Sequence, residues 1–238
     1  MKIALIGYGK MGKTIEKIAL NNDDTIVLKT DSHEDLENNL DLLKTADVAI
    51  EFSMPEAAFK NVTCCINHQI PVVSGTTGWL DDYQSAKTLC VQKNSAMLVA
   101  SNFSIGVNIF FEVNRFLAKR MNSRLDYKVA IEEIHHTQKI DQPSGTAITL
   151  AEGAIEMLAH KSNWINEKAE KDEDLTIISK RIENVPGTHN ITYTSDIDTI
   201  ELIHTAHSRE GFAKGALMAA KWLKDKKGVF GMRDMLGL

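Results

Sequence analysis

Residues 2–6 (KIALI) form a short apolar run, followed at once by Gly7-Tyr8-Gly9-Lys10-Met11-Gly12. A G-x-G-x-x-G pattern alone says little. It gains weight when a strand precedes it and a helix opens on it. Both hold here: KIALI reads as a buried strand, and residues 10–20 carry Met11, Ile15, Ile18 and Ala19 on one helical face. Each glycine has a distinct job. Gly7 permits the tight turn, Gly9 lets backbone approach a pyrophosphate, and Gly12 lets helix pack on strand. The helix start adds unpaired N–H groups and the positive end of its dipole. The reading is a dinucleotide held by Gly7, Tyr8, Gly9, Lys10, Met11 and Gly12. An acidic residue about 20 positions on should meet the ribose hydroxyls. Asp31 is the candidate; its alternative role is to cap the next helix. An acid there favours NADH, whereas Lys10, Lys13 or Lys29 could pair with the 2′-phosphate of NADPH.

The pattern continues with strands at 25–28, 48–52, 71–74 and 96–100, alternating with helices at 33–44, 55–69 and 81–93. In the 33–44 helix, Leu36, Leu40 and Leu43 mark the inner face. This alternation predicts an α/β, doubly wound, Rossmann-type parallel sheet covered on both faces. After residue 104 the rhythm changes. A long helix spans 105–121 with Val107, Phe110, Val113 and Leu117 inward, then come a strand at 127–134 and a helix at 144–158. Strands at 175–181, 191–195 and 199–206 follow with short connections, which predicts a smaller α+β domain with an open mixed sheet. A final helix covers 211–224. The expected domains are 1–104, completed by 208–238, and 105–207. The polar stretch 165–174 is expected to be a mobile loop or linker.

Composition narrows the function. With 238 residues and a net charge of −5, the chain is ordinary globular material and lacks the basic surface of a nucleic-acid or anionic-membrane binder. Cys64, Cys65 and Cys90 include no Cys-x-x-Cys pair, so neither a structural zinc nor a disulfide framework is expected, nor any other metal. The first apolar run is too short for a signal segment or a membrane span, so a cytoplasmic protein is expected.

A second constellation lies at Glu133-Ile134-His135-His136-Thr137-Gln138-Lys139-Ile140-Asp141-Gln142-Pro143-Ser144-Gly145-Thr146-Ala147. Two histidines and a lysine leave a strand end and run into Pro-Ser-Gly-Thr at a helix start. That helix start can hold an anion, and Lys139 adds a positive charge. A carboxylate-bearing substrate suits such a site, and histidine suits proton transfer near neutral pH.

The stretch EIHHTQKIDQPSGTA resembles the signature of the 4-hydroxy-tetrahydrodipicolinate reductase (dihydrodipicolinate reductase) family, which reads Glu-x-His-His-x-x-Lys-x-Asp-x-Pro-Ser-Gly-Thr-Ala. Further segments are similar in order: PVVSGTTGW from Pro71, ASNFSIGVN from Ala100, VPGT from Val185, His207-Ser208-Arg209, and Phe212 with Gly215. The resemblance implies NADH- or NADPH-dependent reduction of a cyclic dicarboxylate in the diaminopimelate route to lysine. It implies His135 as the proton donor and Lys139 as its helper on a substrate carboxylate. It further implies His136, Gly145 and Thr146 as carboxylate binders. Gly75, Thr76 and Thr77, with Ala100, Ser101, Asn102 and Phe103, would line the nicotinamide side. The second domain would then bind substrate and assemble a homotetramer through its open sheet, whose edge needs covering in any case. The chain departs from the family at Met54, where members often carry arginine, and that leaves the choice between NADH and NADPH open. A related amino-acid or semialdehyde dehydrogenase, or a non-catalytic NAD sensor, would not need the His-His-x-x-Lys run.

Overall fold

The computed structural model describes residues 1–166, 169–208 and 210–238. The chain divides into two compact units, residues 1–105 with 210–238, and residues 106–209.

The first unit alternates strand and helix: β1 (Lys2–Ile6), α1 (Lys10–Leu20), β2 (Thr25–Thr30), α2 (His33–Asn38), α3 (Leu40–Leu43), β3 (Val48–Glu51), α4 (Pro55–Asn67), β4 (Val72–Ser74), α5 (Tyr83–Gln92) and β5 (Ala96–Val99). Its six-stranded sheet is parallel throughout. The doubly wound expectation is met. Ile3 and Leu5 face one apolar layer, Ala4 and Ile6 the other, as the two-residue period of a strand requires.

The second unit comprises nearly all of α6 (Ile105–Met121), then β6 (Lys128–His135), α7 (Gly145–Ile155), β7 (Asn163–Ile165), β8 (Asp174–Arg181), β9 (Thr188–Thr194) and β10 (Thr199–Thr205). Its sheet runs β10-β9-β6-β8-β7 and is mixed: β6 pairs parallel with β8 and antiparallel with β9. Val129, Ile131, Leu175, Ile177, Ile191 and Tyr193 pack against Phe110, Ala118, Leu150 and Ala154 of the two helices. The chain then returns to the first unit with α8 (Glu210–Leu223), β11 (Gly228–Phe230) and α9 (Met232–Leu236). The first sheet therefore reads β11-β5-β4-β3-β1-β2.

Several sequence expectations need correction. The helix expected over 33–44 is two short ones, because Asn39 turns its amide back onto the Asp35 carbonyl and donates its own N–H to Leu36 rather than Asp35. On α6 the buried side includes Asn108 and Asn114, while Val113 is 43% exposed. Asn114 tolerates burial by donating to the Leu150 carbonyl at 2.9 Å. The stretch 165–174, expected to be a mobile loop or linker, is irregular over its described residues apart from its ends in β7 and β8, and Lys161 donates to the Asp172 and Asp174 carbonyls at 2.5 and 3.0 Å. Glu167, Lys168 and Arg209, the last a residue of the quoted His207-Ser208-Arg209 segment, lie outside the described residues. The three-residue strands β7 and β11 gave no periodic signal.

Candidate active site

In the first unit, the candidate cofactor residues gather at the carboxyl ends of the strands. Gly7 has φ +88°, and a Cβ there would lie 2.1 Å from the Phe52 carbonyl oxygen. A Cβ on Gly12 would lie 2.6 Å from the Gly7 oxygen, whereas one on Gly9 would meet nothing within 4 Å. The first and third glycines are thus demanded by the turn itself. The middle one leaves open space above its backbone, which is what a phosphate needs. Lys10 and Met11 form the first turn of α1. A cavity of about 300 Å³ lies over this turn between the ends of β1, β2 and β3, lined by Gly7, Tyr8, Gly9, Asp31, Ser32, Phe52, Ser53, Met54 and Asn61, among others. β1 leads to β2 on one side and borders β3 on the other, so the cavity sits where strand order reverses.

Asp31 does not cap α2; Ser32 does, accepting from the Asp35 N–H at 3.1 Å. Instead Asp31 Oδ1 accepts the Tyr8 N–H at 3.0 Å and fixes the second strand's end to the glycine turn. Lys29 is engaged elsewhere: it pairs with Glu16 at 3.2 Å and covers the Tyr8 ring at 4.9 Å. The Tyr8 hydroxyl donates to the same Glu16, and this raises the phenol's pKa.

Gly75, Thr76 and Thr77 follow β4, and Ala100 to Phe103 follow β5. A Cβ on Gly75 would stand 2.2 Å from the Phe52 ring, so any side chain there would have to displace that ring. Phe103 differs from its expected lining role, since its side chain is 1% exposed and packs on Phe52 with ring centres 5.8 Å apart. Thr76 belongs to a group that sequence reasoning missed. Glu51, the last residue of β3, is fully buried. Its carboxylate accepts from Ser74 Oγ (2.6 Å), Thr76 Oγ1 (2.8 Å), the Ser53 N–H (3.0 Å) and the Ser53 hydroxyl. An acid inside the run VAIEF reads as strand end, and its donors come from two segments, the residues just after it and the end of β4.

In the second unit, strand periodicity puts Glu133 and His135 on the same inward face of β6 as Val129 and Ile131. His135 is therefore not on the loop after the strand, as expected, but is the strand's last residue and 8% exposed. Register sets its surroundings: Glu133 lies opposite His189 of β9 and Ser179 of β8, and His135 lies opposite Arg181. Glu133 Oε2 pairs with His135 Nδ1, and Oε1 accepts from Arg181 Nη1 at 3.0 Å and from the Ser144 N–H at 3.3 Å. Burial alone would raise the Glu133 carboxyl, but His135, Ser179 and Arg181 outweigh it and bring it down to about 2. His189 stacks edge-on to His135 with ring centres 5.0 Å apart and contacts Ser144 Oγ through Nε2 at 3.1 Å. Burial first, then the neighbouring His135, pushes His189 down to about 3. Glu133, His135 and His189 bring ligand-type atoms within 4.8 Å of one another. Arg181 already supplies a positive charge on this carboxylate, which disfavours a cation there.

The other candidates surround this cluster. The other ring nitrogen of His135, Nε2, faces Gly187, 3.0 Å from where a Cβ would stand. The neighbouring Pro186, with His136, Thr137, Gln138, Glu183 and Ser208, lines a cavity of about 520 Å³. Lys139 and Gly145 are not among its lining residues. Lys139 Nζ is bound to Asp141 at 2.7 and 2.8 Å. Gly145 and Thr146 open α7, whose cap Ser144 accepts from the Ala147 N–H, and a Cβ on Gly145 would meet nothing within 4 Å. Arg181, also missed in the sequence, donates to the Lys139 and Asp141 carbonyls at 3.3 and 2.7 Å and so secures the loop that carries both histidines' successors.

Residues 1–103 match the family model "Dihydrodipicolinate reductase, N-terminus", and residues 106–236 match "Dihydrodipicolinate reductase, C-terminus". The chain belongs to the dihydrodipicolinate reductase family. A 4-hydroxy-tetrahydrodipicolinate reductase of Christiangramia forsetii is 57% identical over 237 residues, covering 99% of this chain and 98% of that one. The Methanosarcina acetivorans reductase of the same name is 33% identical, covering 99% and 89%. Among solved structures, dipicolinate-bound dihydrodipicolinate reductase from Paenisporosarcina sp. TG-14 superposes with a TM-score of 0.80 at 25% identity, covering 97% of both chains. An amine dehydrogenase from Mycobacterium smegmatis shares the fold alone, with a TM-score of 0.62 at 9% identity over 96% of this chain and 94% of that one. As a dihydrodipicolinate reductase, the chain is an oxidoreductase of the diaminopimelate route to lysine, and its family works with a pyridine nucleotide. Among the described residues, no helix is long and apolar enough to cross a membrane.

Proposed function

We propose that this reductase reduces its cyclic dicarboxylate with NADH in preference to NADPH, with His135 as proton donor. The observation that carries the reading is the placement of His135, held by Glu133 through Nδ1 and turned toward Gly187 through Nε2. The bound nicotinamide supplies the hydride. His135 delivers a proton from Nε2 to the atom of the reduced double bond that does not receive the hydride. Lys139 holds one carboxylate and assists this step, exchanging Asp141 for the substrate. His136, Gly145 and Thr146 bind the carboxylates, the last two at the N-terminus of α7. The dipicolinate-bound relative supports a planar dicarboxylate as the ligand class.

Gly7, Gly9 and Gly12, with Tyr8, Lys10 and Met11, cradle the pyrophosphate, and Asp31 takes the ribose hydroxyls. Gly75, Thr76, Thr77 and the backbone from Ala100 to Phe103 border the nicotinamide. The preference for NADH rests on the cavity beside Asp31, whose lining residues are all neutral or acidic, and on Met54, an exposed and uncharged side chain in that lining. Ile200 and Ile203 lie exposed on β10, the open edge of the second sheet, and support assembly into a cytoplasmic homotetramer. The test is a coupled assay in which the preceding synthase makes substrate from pyruvate and aspartate semialdehyde. Oxidation at 340 nm should be faster with NADH, judged by kcat/KM. Absence of oxidation with either nucleotide overturns the activity, and equal use of both overturns the preference.

A further inference from the structure

We infer that Glu133 is the positioning residue of the proton donor: it keeps a proton on His135 Nδ1, so that the proton that leaves is the one on Nε2. The inference rests on His135 being the donor, and it adds the group that makes it one.

An imidazole has two nitrogens, and a general acid must present the right one. At His135 the two faces differ completely. Nδ1 meets a carboxylate that is wholly buried, and Nε2 meets the Gly187 backbone beside the cavity wall. A carboxylate at Nδ1 can only accept, so it selects the form with Nδ1 protonated.

The carboxylate is itself held in place from two elements. Arg181 and Ser179 reach it from β8, and the Ser144 N–H reaches it from the start of α7. The remaining groups facing the pair are His189 on β9 and, in the loop after β6, Lys139 with its partner Asp141. His189 stays neutral, so it adds no second positive charge beside His135. Arg181 cannot replace Glu133 in this role, because it is bound to Glu133 Oε1 and to the loop carbonyls, on the side away from His135 Nδ1.

The test combines Glu133→Gln, Glu133→Asp, His135→Gln and the double variant, each assayed across pH 5–9. Glu133→Gln should lower kcat on the order of 10²-fold with a small change in KM. Its kcat/KM should fall in step with kcat, because the loss lies in the proton-transfer step. Glu133→Asp should restore part of both. The double variant should be no slower than His135→Gln alone, since Glu133 acts only through the ring.

If His135→Gln is inactive but Glu133→Gln keeps the wild-type profile, the positioning role is overturned while the donor stands. If His135→Gln retains wild-type kcat, the donor reading itself fails. Nitrogen NMR of histidine-labelled wild-type protein keeps the proposal testable should Glu133→Gln not fold. The neutral His135 ring must show its proton on Nδ1, and a proton on Nε2 with a bare Nδ1 overturns the inference.

Discussion

His189 makes the second unit sensitive to mild acid, and the size of the effect follows from its surroundings. In the fold its pKa is pushed to about 3 by burial and by His135, against 6.5 for the unhindered side chain. Above pH 6.5 folded and unfolded chains both carry it neutral, so it has no influence there. Below 6.5 the unfolded chain takes up a proton that the folded chain refuses, so stability falls as pH falls, at about 1.4 kcal/mol per unit. Between pH 6.5 and 4.5 the loss is about 3 kcal/mol. Glu133 also loses stability in acid, since its carboxyl lies at about 2 in the fold against 4.5 ordinarily, but that loss begins only below about pH 4.5. His204 is lowered as well, burial being the main cause, and it adds to the slope in the same window. Comparison with His189→Gln isolates the one residue, because glutamine can keep the bond to Ser144. The assay is amide hydrogen exchange at β6 and β9 between pH 7 and 4.5, corrected for intrinsic exchange rates. The variant should lose about 1.4 kcal/mol per pH unit of the wild-type slope. An unchanged slope would refute the claim that His189 is kept neutral.

Two further substitutions test the first unit. Gly9→Ala should leave the melting temperature nearly unchanged and weaken nucleotide binding, whereas Gly7→Ala should cost several kcal/mol, roughly 3 or more, through its positive φ and the Phe52 carbonyl; calorimetry and nucleotide titration separate the two, and equal stabilities would contradict the geometry. Glu51→Ala strands the Ser74 and Thr76 hydroxyls, while the Ser53 N–H keeps Thr76 Oγ1 at 2.8 Å, for an expected loss of about 3 kcal/mol in urea unfolding; a loss below about 1 kcal/mol would show that these hydroxyls find other partners.

The sequence was most readable where structure is local. The glycine turn depends on six consecutive residues, and the alternation of apolar strands and amphipathic helices depends on windows of a dozen or so. The break at Asn39 was hidden because leucine spacing runs through it, and only the side-chain bond to Asp35 shows the interruption. The inner face of α6 was misjudged because Asn114 is buried by a bond to a residue 36 positions away. The same limit applies to the candidate site. His135 and Lys139 are visible in one short run, but Glu133 acquires meaning only once β8 and β9 bring Arg181, Ser179 and His189 across it. Strand register over some fifty residues carries no local signature.

The return of the chain to its first unit has a consequence for synthesis. Ala213, Ala216, Leu217, Ala220 and Leu223 of α8 cover one side of the first sheet, and β11 forms its edge beside β5. Residues 106–209, by contrast, are contiguous. On the ribosome, the middle of the chain can therefore mature before the beginning does. Until the last thirty or so residues emerge, Ile3, Leu5, Val48 and Ile50 have no α8 to close over them, and the nascent first unit is the part with most need of a chaperone.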